Sequence, residues 1–236
     1  MYDRHAEVQR MAAGLLSAEL PSCALGRILE IGCGTGVYTA MLKERFHSAH
    51  ISAVDISSAA VAVAAEKIDG VDFAVCDAES LRFAGTYDLI TSNSTFQWFS
   101  DLEGAVKNYR RALLERGTLL FSAFGPETFK ELDHCLGMLL KGSSTTSRGF
   151  ATREGLEAAL ARHFENVDVE ETMVKREYGS LKELLDTIRY TGTRGEGVKE
   201  GLMWRRTMLQ RIEELYIRQF GKIVASYQIF VCRAVR

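Results

Sequence analysis

Short apolar runs alternate with helical patterns through the first half of this chain, and that alternation limits its fold more than any other feature. Residues 27–31 read as a strand, 35–46 as a helix and 51–55 as a second strand, after which Ser57 opens a helix rich in Ala and Val. Residues 71–76 and 87–91 read as the third and fourth strands, 102–114 as a helix and 118–124 as a fifth strand. A strand-helix-strand order of this kind implies an α/β fold with a parallel sheet and helices on both faces, because parallel neighbours need a crossover long enough to carry a helix. Residues 4–20 read as an amphipathic helix that buries Val8, Met11, Ala12, Leu15 and Leu16 and stops at Pro21. Beyond Pro126 the pattern changes to a helix over 127–140, a Gly/Ser/Thr loop over 141–150, a helix from Thr152 to His163, and late strands at 167–174 and 225–234. The mostly helical insert over 180–220, with Gly192, Gly195, Gly197 and Gly201, has the length of a lid.

Bulk properties narrow the classes. The chain has 236 residues, 47% hydrophobic and 25% charged, as expected of a soluble globular domain with or without a lid. Its formal net charge of -2 argues against a general nucleic-acid binder, whose phosphate contacts need a basic excess. No apolar run approaches the roughly eighteen residues that a spanning helix needs. Met1-Tyr2-Asp3-Arg4-His5 lacks a secretory h-region, so the expected location is the cytoplasm. Cys23, Cys33, Cys76, Cys135 and Cys232 are scattered, which fits neither a disulfide framework nor a metal site, and no metal is expected.

The segment Glu30-Ile31-Gly32-Cys33-Gly34-Thr35-Gly36 lies between the first strand and its helix. Glycines there permit a tight turn and close approach of backbone to a ligand. A dinucleotide fingerprint needs its third glycine one residue later, where Val37 stands, so a nicotinamide oxidoreductase is disfavoured. The pattern E/DxGxGxG instead resembles motif I of class I methyltransferases. That resemblance implies S-adenosylmethionine as cofactor, with Gly32, Cys33, Gly34 and Gly36 shaping the turn and Glu30 organising the amino-acid end. Asp55 ends the second strand, about 20 residues beyond the glycines, where an acid accepts from ribose hydroxyls. Ser57 is the better helix cap, which leaves Asp55 for a ligand, and Ile56 is placed to cover the adenine face. Asp77, Ala78 and Glu79 follow the third strand, and the resemblance implies that Asp77 accepts from the adenine amino group. Asn93 follows the fourth strand and is expected under the reactive end. Gln97 is read as a ligand contact and Trp98 as core packing. All of these positions converge on the carboxyl ends of the strands.

Further segments carry a closer resemblance. Tyr2-Asp3-Arg4-His5-Ala6-Glu7-Val8-Gln9, Ser92-Asn93-Ser94-Thr95-Phe96-Gln97-Trp98, the stretch from Phe121 through Leu132, Ile188-Arg189-Tyr190-Thr191-Gly192-Thr193 and Tyr227 are similar to the malonyl-acyl-carrier-protein O-methyltransferases of biotin synthesis, the BioC family. The resemblance implies a mostly parallel, seven-stranded Rossmann-like sheet with a helical lid before the last strand. It implies one domain, with a capping helix over 1–21, a cofactor core over 22–125, lid segments at 126–150 and 178–222, and late strands at 165–175 and 223–236. The implied substrate is a malonyl thioester on acyl carrier protein or coenzyme A. Its carboxylate, with an ordinary pKa near about 4, is already ionised and needs no general base. Arg189, Tyr2, His5 and Tyr227 are then the candidates to hold that carboxylate, although Tyr2 and His5 also read as solvated terminal residues and Arg189 as a solvated helix arginine. Arg205, Arg206 and Arg211 form either a mixed solvated face or a docking surface for an acidic carrier. Two other functions share these cofactor residues: methylation of a small carboxylate such as trans-aconitate, and non-catalytic binding.

Overall fold

The computed structural model describes residues 5–80, 86–139, 144–190 and 206–236. Its strands are β1 (Arg27–Ile31), β2 (His50–Asp55), β3 (Asp72–Val75), β4 (Tyr87–Asn93), β5 (Leu113–Phe124), β6 (Asn166–Tyr178) and β7 (Ile223–Val235). They form one sheet in the order β3-β2-β1-β4-β5-β7-β6. The pairs β1–β2, β1–β4, β2–β3 and β4–β5 are parallel, with Ile31 opposite both Val54 and Ser92. Strand β7 runs against β5: Arg116 N donates to Arg236 O, whereas Gly125 N donates to Gln228 O, so partner numbers fall as β5 advances. The α/β class and the parallel pairing expected from the alternation are therefore present in β1 to β5, within the mostly parallel seven-stranded sheet that the resemblance implied. The helices are α1 (Glu7–Ala18), α2 (Val37–Arg45), α3 (Ser58–Lys67), α4 (Leu102–Ala112), α5 (Lys130–Leu139), α6 (Arg153–Ala161), α7 (Leu181–Tyr190) and α8 (Arg206–Phe220). Among the described residues no helix is long and apolar enough to cross a membrane.

The chain divides into two compact units. One comprises residues 9–123, 153–171 and 230–236, and the other residues 1–8, 124–152 and 172–229. The first is the sheet core. Ile28, Ile51, Leu89 and Leu120 pack with Tyr38, Leu42 and Phe46 of the α2 segment and Ala13 and Leu16 of α1. Strand β1 is buried at four of its five positions, as befits a parallel strand covered on both faces. Ser57 caps α3 by accepting from Ala60 N at 3.3 Å, and Asp101 caps α4 by accepting from Gly104 N at 2.9 Å.

Several sequence expectations shift. Met11 is 41% exposed rather than buried, because Gln9, Ala12, Ala13 and Leu16 form the covered stripe of α1 and turn Met11 away. Helix α2 starts at Val37, since Gly36 sits at its N-cap with φ 87°. Helix α4 ends at Ala112: Leu113 already pairs with Tyr87 at the start of β5, and Arg116, at φ 63°, absorbs the register shift that follows. Trp98 is 38% exposed, and the core place belongs to Phe96, whose ring lies 4.9, 5.5 and 4.4 Å from those of Phe99, Tyr109 and Phe121. The 3-10 turn Phe96–Trp98 points its first ring inward and its third outward.

In the second unit the chain turns before α5, with Thr128 N donating to Gly125 O and Phe129 at φ 63°. Helix α5 therefore begins at Lys130 rather than 127. Its acids are buried and hydrogen-bonded. Glu131 accepts from Ser226 N at 2.8 Å and Ser226 Oγ at 2.6 Å, and Asp133 accepts from Thr145 Oγ1 at 3.1 Å and Arg148 Nε at 3.2 Å. Leu181 N donates to Glu213 Oε1 at 3.1 Å and joins α7 to α8. Removal of the fully buried Phe96 ring is expected to cost about 3–5 kcal/mol of folding stability, and Trp98→Ala, at a ring that is 38% exposed, is expected to cost less. Urea denaturation of Phe96→Ala and Trp98→Ala, two residues apart, distinguishes the buried from the exposed ring.

Candidate functional site

The glycine turn is pinned to the end of β2. Gly32 N and Cys33 N both donate to Val54 O, at 2.7 and 3.0 Å. Gly34 N donates to Asp55 Oδ2 at 2.8 Å, and Ser57 N to Asp55 Oδ1 at 2.8 Å. Asp55 is thus not left wholly to a ligand, as capping by Ser57 had suggested: each oxygen holds a backbone amide and keeps lone pairs for a further donor. The three glycines all have positive φ, but for different reasons. A Cβ on Gly32 falls 2.1 Å from Thr95 Oγ1, and one on Gly36 falls 2.7 Å from Ile68 Cδ1. A Cβ on Gly34 meets nothing within 4 Å. Packing fixes the outer two glycines, and the middle one opens onto space beside the Asp55 carboxylate.

Beneath the turn, Glu30 is 1% exposed, and its Oε2 has no hydrogen-bond partner among the described residues. Burial pushes its carboxyl from 4.5 up to about 8; Thr39 pulls it down and the Asp55 charge adds to the rise. Cys33 is buried, and that burial, with the Glu30 and Asp55 charges, raises its thiol, so it is a packed thiol rather than a nucleophile. Ile56 stands 75% exposed beside the turn. Asp77 is exposed; its Oδ1 accepts from Glu79 N at 3.0 Å and its Oδ2 from Ser80 Oγ at 3.2 Å. Glu79 Oε1 accepts from Ser100 Oγ at 2.7 Å and from Asp101 N, and Ala78 O accepts from Tyr109 at 2.9 Å. These bonds fasten the loop after β3 to the start and body of α4.

Asn93 is committed within the protein. Its amide nitrogen donates to Gln9 O at 3.1 Å and its amide oxygen accepts from Ser122 Oγ at 2.7 Å, joining α1, β4 and β5. Gln97 Nε2 donates to Ser94 O at 2.7 Å. The side-chain oxygens of Gln97 and Gln9 are buried without hydrogen-bond partners among the described residues. Buried polar atoms without partners are rare in folded proteins and mark places where a ligand or water completes the bonding. With Glu30 Oε2 and the open side of Gly34, they give this unit unused side-chain oxygens and open space beside the glycine turn. Sequence reasoning missed Gln9, Thr39 and Ser122 as parts of this site, because their roles depend on contacts 9 to 84 positions away in the chain.

The acceptor-side candidates lie in the other unit. His5 Nδ1 is 3.3 Å from Thr187 Oγ1, and its ring stacks on Tyr190 at 4.9 Å. Arg189 is exposed, with its guanidinium carbon 5.9 Å from the Tyr190 ring centre. Tyr227 is buried among Phe124 and Phe129, and its hydroxyl is hydrogen-bonded to that of Tyr178. Tyr2 and Arg205 lie outside the described residues, and of the Arg206 side chain nothing is described. Arg211 is exposed on α8.

Known proteins match this architecture. A sequence profile of a methyltransferase domain matches residues 28–117, which carry the glycine turn and the acids after β2 and β3. In solved structures, the YcgJ protein from Bacillus subtilis is 17% identical with a TM-score of 0.66, over 96% of this chain and 98% of that one. Haemonchus contortus phosphoethanolamine N-methyltransferase 2, in complex with S-adenosyl-L-methionine, is 19% identical with a TM-score of 0.57, over 97% of this chain and 52% of that one. At these identities the likeness concerns the fold. Malonyl-acyl-carrier-protein O-methyltransferases are nearer in sequence. That of Bacillus cereus is 37% identical over 98% of this chain and 91% of its own, and that of Bacillus anthracis 33% identical over 96% and 89%. The chain therefore belongs to the malonyl-acyl-carrier-protein O-methyltransferase family, on the Rossmann-like fold of class I methyltransferases.

Proposed function

We propose that this chain is an S-adenosylmethionine-dependent carboxyl O-methyltransferase that esterifies the free carboxylate of a malonyl thioester on acyl carrier protein, in the cytoplasmic synthesis of biotin. The observation that carries the reading is the open side of Gly34 beside the Asp55 carboxylate, in a chain so similar to the malonyl-carrier enzymes. The residues present fit the cofactor. Asp55 keeps acceptor sites for ribose hydroxyls, Ile56 offers an uncovered apolar face to adenine, Asp77 accepts from the adenine amino group, and Glu30 lies below the amino-acid end with Asn93 and Gln97 near it. When bound, S-adenosylmethionine supplies an electrophilic sulfonium methyl, which a carboxylate oxygen takes while S-adenosylhomocysteine departs.

The protein's own work is then positioning and exclusion of water. No side chain needs to remove a proton, because the malonyl carboxylate is ionised near neutral pH. Arg189 grips it through two parallel hydrogen bonds, with His5, Tyr2 and Tyr227 as further donors. Exposed Arg211 presents positive charge to an acidic carrier, and Arg205 and Arg206 are the further candidates for that docking.

Methyl transfer from labelled S-adenosylmethionine tests the reading. Malonyl-carrier protein is expected to accept the label, its methyl ester is expected to be inert, and Arg189→Ala is expected to cut turnover while cofactor affinity stays within about twofold. Preference for free trans-aconitate would move the enzyme to small carboxylates, and cofactor binding without turnover on any acceptor would make it a binding protein. A second expectation concerns Gly34. Its φ is 53°, so Gly34→Ala costs roughly 1–2 kcal/mol of backbone strain and leaves the fold intact. The new methyl enters the open space, and S-adenosylhomocysteine affinity measured by calorimetry is expected to fall at least tenfold. Unchanged affinity would place the cofactor elsewhere.

A further inference from the structure

The acceptor-side unit contains a polar cluster centred on two residues with no assigned role. On β6, Thr172, Val174, Arg176 and Tyr178 share the half-covered face, while Met173, Lys175 and Glu177 face outward. The Tyr178 hydroxyl is hydrogen-bonded to the Tyr227 hydroxyl of β7. Burial is the main cause that raises both phenols, against which the Arg176 charge pulls down, so both keep their protons near neutral pH. Two protonated hydroxyls that share one hydrogen bond use only one of their two protons in it. Among the described residues nothing accepts the other. The pair therefore holds a spare O–H donor beside a guanidinium, in surroundings where an unused donor is costly.

The neighbouring residues hold this cluster in place. Phe129, buried and at φ 63°, is an outlier for an aromatic residue; its N donates to Ser226 O at 2.7 Å and its ring meets Tyr227 edge-on at 5.0 Å. Strained backbone of this kind persists where surrounding structure fixes it, and it clusters at ligand sites. Arg176 forms an ion pair with Glu7 through one guanidinium nitrogen, and no other hydrogen bond of its fork is made among the described residues. Glu7 lies two residues from His5, which contacts Thr187 and Tyr190 on either side of Arg189. The start of α1 thus links the exposed arginine of α7 to the half-buried arginine of β6.

We propose that Arg176 and the Tyr178–Tyr227 hydroxyl pair form one anion-binding cluster that receives the carboxylate of the acceptor, with Arg176 and Tyr178 as positioning residues beyond those already assigned. The proposal rests on the carboxyl-methyltransferase reading. The cluster supplies one spare O–H and the unused edge of a guanidinium, donors that one carboxylate oxygen accepts while the other keeps a lone pair for the methyl group. It provides no base, in keeping with an acceptor that arrives ionised. Glu7 occupies part of the same cation, so it competes with the incoming carboxylate.

Calorimetric titration of malonyl-pantetheine, and of its methyl ester, into the protein loaded with S-adenosylhomocysteine tests this without turnover. The wild type is expected to bind the acid and reject the ester. Tyr178→Phe and Arg176→Gln are each expected to weaken acid binding roughly tenfold or more, the usual loss for a hydrogen bond to a charged group. Affinity for S-adenosylhomocysteine is expected to stay near wild type in Tyr178→Phe, which removes a hydroxyl of the acceptor-side unit and leaves the cofactor-side residues untouched. Glu7→Gln is expected to tighten acid binding, a direction that a purely structural ion pair does not produce. Acid-selective binding that survives both Tyr178→Phe and Arg176→Gln overturns the cluster alone. A wild type that binds acid and ester alike overturns the carboxylate reading, and the cluster with it.

Discussion

The hydrogen bonds from the glycine turn to the end of β2 are the constraint on which the cofactor site depends. Val54 O takes two amides and Asp55 takes two more, so four backbone donors that have no place in the sheet are satisfied by two neighbouring residues. That arrangement requires positive φ at Gly32, Gly34 and Gly36. It also requires Thr95 and Ile68 to pack against the two outer glycines, which leaves the middle one open. A side chain at Gly32 or Gly36 would displace the packing, whereas a side chain at Gly34 would enter the open space proposed for the cofactor. The turn is therefore both the joint between β1 and α2 and the floor of the proposed cofactor site.

The residues with proposed chemical roles are not spread evenly over the chain. Those assigned to the cofactor lie between Glu30 and Gln97, in the unit formed by β1 to β4 and their helices. The described residues assigned to the acceptor lie in the other unit, at His5 and on α7, β6 and β7. One segment carries the turn and acids of a widely shared cofactor-binding fold, while the hydroxyls and guanidiniums proposed for the acceptor form a separate set. Fold similarity at 15–19% identity accordingly speaks for the first set, and similarity to the malonyl-carrier enzymes across nearly the whole chain bears on the second as well.

What the sequence made legible follows the range of the interactions involved. Strands β1 to β4 are apolar runs bounded by polar residues, and the glycine spacing alone distinguishes the turn from a dinucleotide fingerprint. Asp55 and Asp77 stand where strand ends put them. The features that escaped depend on three-dimensional choices. Phe96 and Trp98 are equally plausible core residues in one dimension, and the 3-10 turn decides between them. The ties made by Asp55 depend on the curl of a backbone 21 residues earlier. The pairing of Tyr178 with Tyr227 spans 49 residues and needs β6 and β7 to be neighbours, which no local pattern announces. Arg176 sits in an alternating strand that reads equally well with either face covered.

Glu30 connects the turn to the chemistry of binding. Its buried carboxyl, raised to about 8, stays protonated at neutral pH. A cationic ammonium held above it stabilises the ionised form and draws the value down, so binding expels the proton and affinity rises with pH up to about 8. The proposed cofactor site puts the amino-acid end of S-adenosylmethionine over Glu30, and this is the central claim about the cofactor. Its most direct test is calorimetry of S-adenosylmethionine binding at pH 7 in two buffers with different ionisation enthalpies. The account predicts a buffer-dependent heat that corresponds to release of close to one proton and is absent in Glu30→Gln. Equal heats in both buffers for the wild type, with binding intact, would contradict it.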